Sequence, residues 1–227
     1  MLVHLWSQYW PVDSETQRRQ TVAQSSWAKQ PWHDRPVVNA ELNRVWRENG
    51  RSVPYIRDLF DAGCERFKDD DIICYTNSDI IMRSDACFQI AAVMQATDAA
   101  YGYRFDFHHR LGKVPVDSQF SSGVMYPGSD LVAFRVRWWT AHRHTMPDMV
   151  IAHEAYDPVL RTLIDQSCKE TAPNEIVGIC CHERHSGPDH WENPANRYRL
   201  KGQLLNLALA KSFFKQRGMN PLQFGIV

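Results

Sequence analysis

Short apolar runs with strand composition alternate with amphipathic segments along nearly the whole chain, and this alternation restricts the fold more than any other feature. "LVHLWSQYW" (residues 2–10) is apolar and aromatic and stops at Pro11, which reads as a first strand. Asp13 or Ser14 then caps a helix that runs to about Lys29. "RPVVNAEL" gives a short second strand, and "WRENGRS" reads as a loop from its Asn-Gly pair and its charge. In "VPYIRDLFDAGCERF", Pro54 suits the first position of a helix whose Ile56, Leu59, Phe60, Gly63 and Phe67 share one face. The strand "DIICYTN" follows, then a helix from about Asp85 and a strand "AAYGYRFDF". Residues 108–129 are rich in Gly, Pro, Ser and Asp, a long irregular connection of the kind kept for binding loops. "SDLVAFRVRWW" reads as strand, "HEAYDPVLRTLIDQ" as an amphipathic helix and "EIVGICCH" as a last strand. A helix over about 196–218 is stopped by Gly218. The pattern predicts an α/β fold, a mostly parallel sheet flanked by helices.

With 227 residues, the whole chain (1–227) suits a single domain around that sheet. Lys plus Arg (26) balances Asp plus Glu (26), so the overall basic charge of a general nucleic-acid binder is missing. No run approaches ~18 consecutive apolar residues, the length a membrane span needs, and the start lacks the pattern of a secretory signal. Six cysteines at irregular positions read as buried thiols of a reducing compartment, which makes a cytoplasmic location the expectation. There is no Gly-rich dinucleotide fingerprint, no Walker loop and no G-x-S-x-G elbow, which disfavours a dehydrogenase, an NTPase or a serine hydrolase.

The stretch "DDDIICYTNSDIIMRSD" places a polar tetrad, Thr76-Asn77-Ser78-Asp79, at the end of a buried strand. Ligands of α/β proteins sit outside the carboxyl ends of strands. An acid with Asn two positions before it offers oxygen ligands to a hard divalent cation or acceptors to a ribose. The same residues also suit an Asx turn. Later in the chain, "CCHERH" supplies His182 and His185 directly after the last strand. With Cys180 and Cys181 they are also zinc-type ligands, although adjacent strand residues point to opposite faces.

The order of these elements, an N-terminal strand, "PYIRDLFDAG", "YTNSDI", "GSDLVAF", an acidic helix start and a late His cluster, resembles the GT-A family of nucleotide-sugar glycosyltransferases. It is similar in particular to small bacterial and phage proteins of that fold, over roughly residues 2–218. The resemblance implies a GT-A-like sheet and transfer of a sugar from a nucleoside diphosphate donor to a hydroxyl. A bound Mn²⁺ or Mg²⁺ would neutralise the leaving group. Asp79 matches the last acid of the family's DXD motif, and Asn77 stands where its first Asp would be. His182 or His185 would complete the metal shell. Glu154, Asp157 and Asp130 are the catalytic candidates: the first two as proton acceptors where a helix begins, Asp130 facing acceptor and sugar. Glu154 and Asp157 equally suit the helix dipole.

Gln8, Tyr9 and Trp10 are placed to meet the nucleobase, and Arg57 or Asp58 the ribose or diphosphate. Arg57 equally suits a pair with Asp61. "YRFDFHHR" concentrates Arg104, Asp106, His108, His109 and Arg110 as a wall of the site, and Trp138 with Trp139 is either a sugar platform or helix packing. Acceptors compatible with this reading include a glycan, a lipid-linked glycan, a protein or a modified DNA base. Two other readings use the same fold: a nucleotide-sugar or glycan-binding protein without turnover, which Asn77 favours, and a sugar nucleotidyltransferase, which the absence of a Gly-rich basic loop after the first strand disfavours.

Overall fold

A computed structural model of the chain describes residues 1–8, 13–48, 51–151, 153–168, 174–184 and 201–226. In chain order the elements are β1 (Leu2–Gln8), α1 (Ser14–Trp27), β2 (His33–Val38), β3 (Val45–Glu48), β4 (Arg51–Pro54), α2 (Ile56–Cys64), β5 (Ile72–Thr76) and β6 (Ile81–Met82). They continue with α3 (Ala86–Val93), β7 (Ala99–Phe107), β8 (Val124–Arg135), α4 (Val136–His142), α5 (Tyr156–Ser167), β9 (Glu175–Glu183) and α6 (Lys201–Gln216). Seven strands form one sheet in the order β2-β1-β5-β8-β7-β9-β6. Strands β2, β1, β5, β7 and β9 run one way, and β8 and β6 run against them. The sheet is thus mostly parallel in strand direction, with β8 reversed at its centre.

Alternation along each strand divides the core in two. Val3, Leu5, Ile73, Tyr75, Val132 and Phe134 face one side, where α2, α4, α5 and α6 pack. Trp6, Cys74, Ala100, Leu131 and Ala133 face the other, covered by α1 and α3. Burial on both faces is why these strands read as continuous apolar runs. Among the described residues, no helix is long and apolar enough to cross a membrane.

Several local expectations change. "WRENGRS" is not a plain loop: β3 and β4 pair antiparallel with Glu48 opposite Arg51. Asn-Gly between two strand-like segments is a hairpin signal, and the charged residues around it hid the alternation of Val45, Trp46 and Val53. Pro54 ends β4 instead of opening α2, because Ile56 N donates to Met149 O (2.9 Å) and Ile151 N to Pro54 O (3.1 Å), holding this stretch extended. The strand expected from Ser129 starts at Val124, inside the stretch read as irregular, and "VRWW" is helical. A short apolar run does not by itself separate strand from helix. Trp138 and Trp139 are buried, Trp139 edge-on to Phe60 and both tilted against Phe134, and serve packing instead of a sugar platform. The two-residue β6 was not legible at all. Of the expected final helix, residues 196–200 lie outside the described residues, and Gly218, at φ 68°, follows its end.

Candidate functional site

The carboxyl ends of β5, β7 and β9 bring one polar group together. β7 and β9 are parallel neighbours with Asp106 opposite His182. β6 returns antiparallel along β9 with Ile81 against Cys181, so Asp79, two residues earlier, arrives at His182. Asp79 Oδ2 lies 3.3 Å from His182 Nε2, and His182 Nδ1 lies 3.2 Å from Asp106 Oδ1. Arg104 Nε donates to Asp106 Oδ1 (2.7 Å), and its Nη1 donates to Asp130 Oδ2. The guanidinium also sits 4.1 Å from the ring centre of Tyr126. Asp130 Oδ1 accepts from Asn77 Nδ2, whose Oδ1 accepts from the Tyr75 hydroxyl (2.6 Å). The result is one connected chain of groups, Asp79–His182–Asp106–Arg104–Asp130–Asn77–Tyr75.

Arg104, Asp106, Asp130 and His182 are buried, whereas the Asp79 side chain is 20% exposed, so the chain opens to solvent at Asp79. Burial works to lower the pKa of His182, but the charge of Asp79 and the bonds to Asp106 and Asp79 outweigh it and carry the imidazole up to about 9. Burial works to raise the pKa of Asp106, and there His182 and Arg104 win and hold the carboxylate below its ordinary value. The neighbouring charges therefore keep an ionised Asp and a cationic His inside the protein.

A bulge supplies the other half of the geometry. Gly102 pairs with Leu131 on β8, yet Arg104, only two residues on, pairs with Tyr126. The surplus stretch of β8 carries Gly128, Ser129 and Asp130 toward the first turn of α5. A Cβ at Gly128 would run into the Tyr126 ring and stand 3.1 Å from Asp157 Oδ2, so glycine there leaves room for the ring beside the first turn of α5. Asp157 Oδ1 is closed off from solvent and has no hydrogen-bond partner among the described residues. Burial and the charge of Asp130 raise the pKa of Asp157, with Tyr156, Arg104 and the Ser129 amide offsetting only part. Glu154 is half-buried, its amide donating to Gln203 Oε1 (3.1 Å) and its Oε2 accepting from Gln203 Nε2.

The expected site residues therefore divide. Asn77, Asp79, Asp130 and His182 join through hydrogen bonds and ion pairs, Asp157 faces Asp130, and Glu154 engages α6. Arg57 and Asp58 belong to a separate cluster at the start of α2: Arg57 bonds Met146 O and pairs with Asp148, and Asp58 pairs with Arg44. Arg57 is not paired with Asp61, which instead accepts from Trp139 Nε1 (2.7 Å) and pairs with Arg143. Gln8 is the last residue of β1, with its backbone beside Val38. Tyr9, Trp10 and His185 lie outside the described residues. His108, His109 and Arg110 are exposed, and Arg110 pairs with Glu15. Cys180 donates its thiol to Tyr103 O (3.2 Å), and among the described residues no group of three or more His, Cys, Asp or Glu is arranged to hold a metal ion.

Sequence reasoning missed Tyr126, Ser129, Gln203 and Asn206. For the last two a signal existed: amides three apart on a helix face that is otherwise apolar.

The chain matches no family model and no curated protein. Among solved structures, S. aureus TarS (residues 1–349) in complex with UDP-GlcNAc aligns with a TM-score of 0.52 at 11% identity, over 93% of this chain and 71% of that one. TarS is a glycosyltransferase. The fold is glycosyltransferase-like. A second structure of the same TarS fragment aligns at TM-score 0.49 and 12% identity, over 80% of this chain and 60% of that one. In this glycosyltransferase-like fold, the Asp79–His182 pair lies at the carboxyl ends of the sheet strands, the edge at which α/β sheets bind their ligands.

Proposed function

We propose that this chain transfers a sugar from a nucleoside diphosphate sugar to a hydroxyl acceptor, with GT-A-type chemistry. The observation that carries the reading is the meeting of Asp79 and His182, 3.3 Å apart at the open end of a buried polar chain, in a fold similar to that of a protein that binds UDP-GlcNAc. The two side chains fit a hard divalent cation as a donor pair. One is a carboxylate, and the other an imidazole whose Nδ1 is fixed by Asp106, the carboxylate–histidine support common at metal sites; an ion held there would displace the Nε2 proton that the ring otherwise shares with Asp79. Mg²⁺ and Mn²⁺ accept such a small protein share and take their other ligands from substrate phosphates and water. Bound there, the ion would supply charge to the departing diphosphate. Asn77 is not part of that donor set, because its amide is committed to Tyr75 and Asp130.

In the transfer, the acceptor oxygen forms a bond to the anomeric carbon while the bond from that carbon to the diphosphate oxygen breaks. The electron pair leaves with the nucleoside diphosphate, and the acceptor's proton goes to Glu154. Half-buried Glu154 suits proton acceptance, and Asp157, whose Oδ1 is closed off from solvent and whose pKa is raised, suits hydrogen-bond donation. Placing two carboxyls in different surroundings is how one site obtains two roles from one functional group.

The test is release of nucleoside diphosphate from a panel of UDP- and GDP-sugars with Mn²⁺, comparing the native chain with Glu154→Gln. Loss of a positioned base is worth about 10²–10⁴-fold in rate, and that drop is the expected result. Saturable donor binding without any diphosphate release would instead favour a binding protein of the same fold.

A further inference from the structure

Among its described residues, the segment that carries Glu154 forms no helix or strand of its own, and it is held by α6, from about fifty residues further along the chain. Asn206 Oδ1 accepts from Val150 N (2.8 Å), and its Nδ2 donates to Val150 O (2.8 Å) and to Glu154 O (3.2 Å). Gln203 takes both the amide and the carboxylate of Glu154. Both side chains are 0% exposed, unusual for amides on a helix, and these bonds to the segment supply the partners that such burial requires. Gly202 lets the helix come this near: a Cβ there would lie 2.7 Å from His153 Nε2 and 3.0 Å from Trp46 Nε1. From the other side, Val150 bridges to Tyr55. The clamp also bears a strain, since Ala155 sits at φ 77°, a left-handed conformation that a non-glycine residue keeps only where the surroundings impose it.

The geometry points to Gln203 and Asn206 as positioning residues that fix the Glu154 carboxylate toward the acceptor, a role that rests on Glu154 being the proton acceptor. Their side chains bond Val150 and Glu154, and neither belongs to the Asp79–His182 pair assigned to the metal. α6 therefore sets the rate of transfer without setting donor affinity.

Gln203→Met keeps the side-chain length and removes both bonds, and Asn206→Ala removes the other three. In the full-length chain, hydrogen exchange at the Val150 and Glu154 amides, binding of UDP with Mn²⁺, and turnover of UDP-GlcNAc are measured together, with Gln203→Met as the milder substitution should Asn206→Ala fail to fold. A lost hydrogen bond to a charged group is worth about tenfold or more. The expected result is exchange at Glu154 faster by about that factor in Gln203→Met, kcat lower by a similar factor, and the Kd for UDP within about twofold of the native value. Unchanged exchange, unchanged kcat, or a Kd that rises in step with the lost turnover overturns the assignment. If the native chain cleaves no nucleotide sugar, the transferase reading and the catalytic role fall with it. Faster exchange confined to 150–154 would then still uphold the clamp, and unchanged exchange would overturn that as well.

Discussion

Two histidines, His4 and His182, are buried in strands of the same sheet with nearly the same hydrogen bonds and opposite character. His4 has Asp34 at Nδ1 (3.1 Å) and the Thr76 hydroxyl at Nε2 (2.9 Å). His182 has Asp106 at Nδ1 (3.2 Å) and Asp79 at Nε2 (3.3 Å). His4 also stacks on Trp32 at 4.3 Å and meets Trp27 edge-on at 4.6 Å. Burial dominates there and lowers its pKa, with Asp34 opposing only in part. At His182 a second carboxylate replaces the hydroxyl, and the balance reverses. The Asp34–His4–Thr76 arrangement has the outline of a nucleophilic triad, but His4 and Thr76 are both 0% exposed, so it braces β1 against β5 and offers nothing to a substrate. What separates a structural histidine from a candidate site histidine here is one partner and an opening, neither of which is visible from the histidine itself.

The strongest way to break the contrast is Arg104→Met. It leaves Asp130 buried without its cation and Asp106 with His182 alone, and removing one partner of a buried pair costs about 3–5 kcal/mol. Urea unfolding should register that loss, and a change under about 1 kcal/mol would mean that the carboxylates find other partners.

The pH dependence of stability, measured with EDTA present, sharpens the same contrast. The folded pKa of His182 is raised, so its contribution is fully present below the unfolded value of about 6.5 and disappears as pH rises through about 9. The folded pKa of His4 is lowered, so the unfolded chain binds the extra proton and stability falls as pH drops below about 6.5. Denaturation at pH 5, 6.5 and 9.5 should therefore give its maximum at the middle value, while NMR of the two imidazoles finds His182 charged and His4 neutral at pH 7.5. Two neutral imidazoles at that pH would contradict the assignment.

The smallest effect is expected from Asp79→Asn, which makes the partners of His182 more like those of His4. The imidazole pKa should fall by about one unit or more, each unit being about 1.4 kcal/mol, and the alkaline loss of stability should move down with it. An unmoved titration would show that Asp106 alone holds the charge.

How much of this could be read in advance varied with how locally each feature is encoded. Strands β1, β5, β7 and β9 were legible because burial on both faces writes a continuous apolar run, and the polar tetrad marked the end of β5. The α1 cap was legible because Asp13 accepts the Thr16 amide (2.6 Å) within a single turn. The hairpin β3–β4 was written in Asn-Gly but outweighed by its charge. The α4 tryptophans read as strand because composition carries no period over four residues. In the candidate site, Asp79 and His182 stood out as strand-end residues. The tie of Asn77 to Asp130 depends on the register of β5 against β8, and the aim of Asp157 depends on the bulge opposite Arg104.

By itself, the sequence determined the alternating elements, the two-faced sheet and the polar groups waiting at the strand ends, because periodicity and capping act over a few neighbouring residues. Only the tertiary structure decided that β8 runs backwards between β5 and β7, that β6 carries Asp79 to His182, and that Gln203 and Asn206 hold Glu154. Those outcomes follow from strand order, register and helix docking between segments about fifty to a hundred residues apart, where the free energy of each contact depends on what the rest of the chain has already put in place.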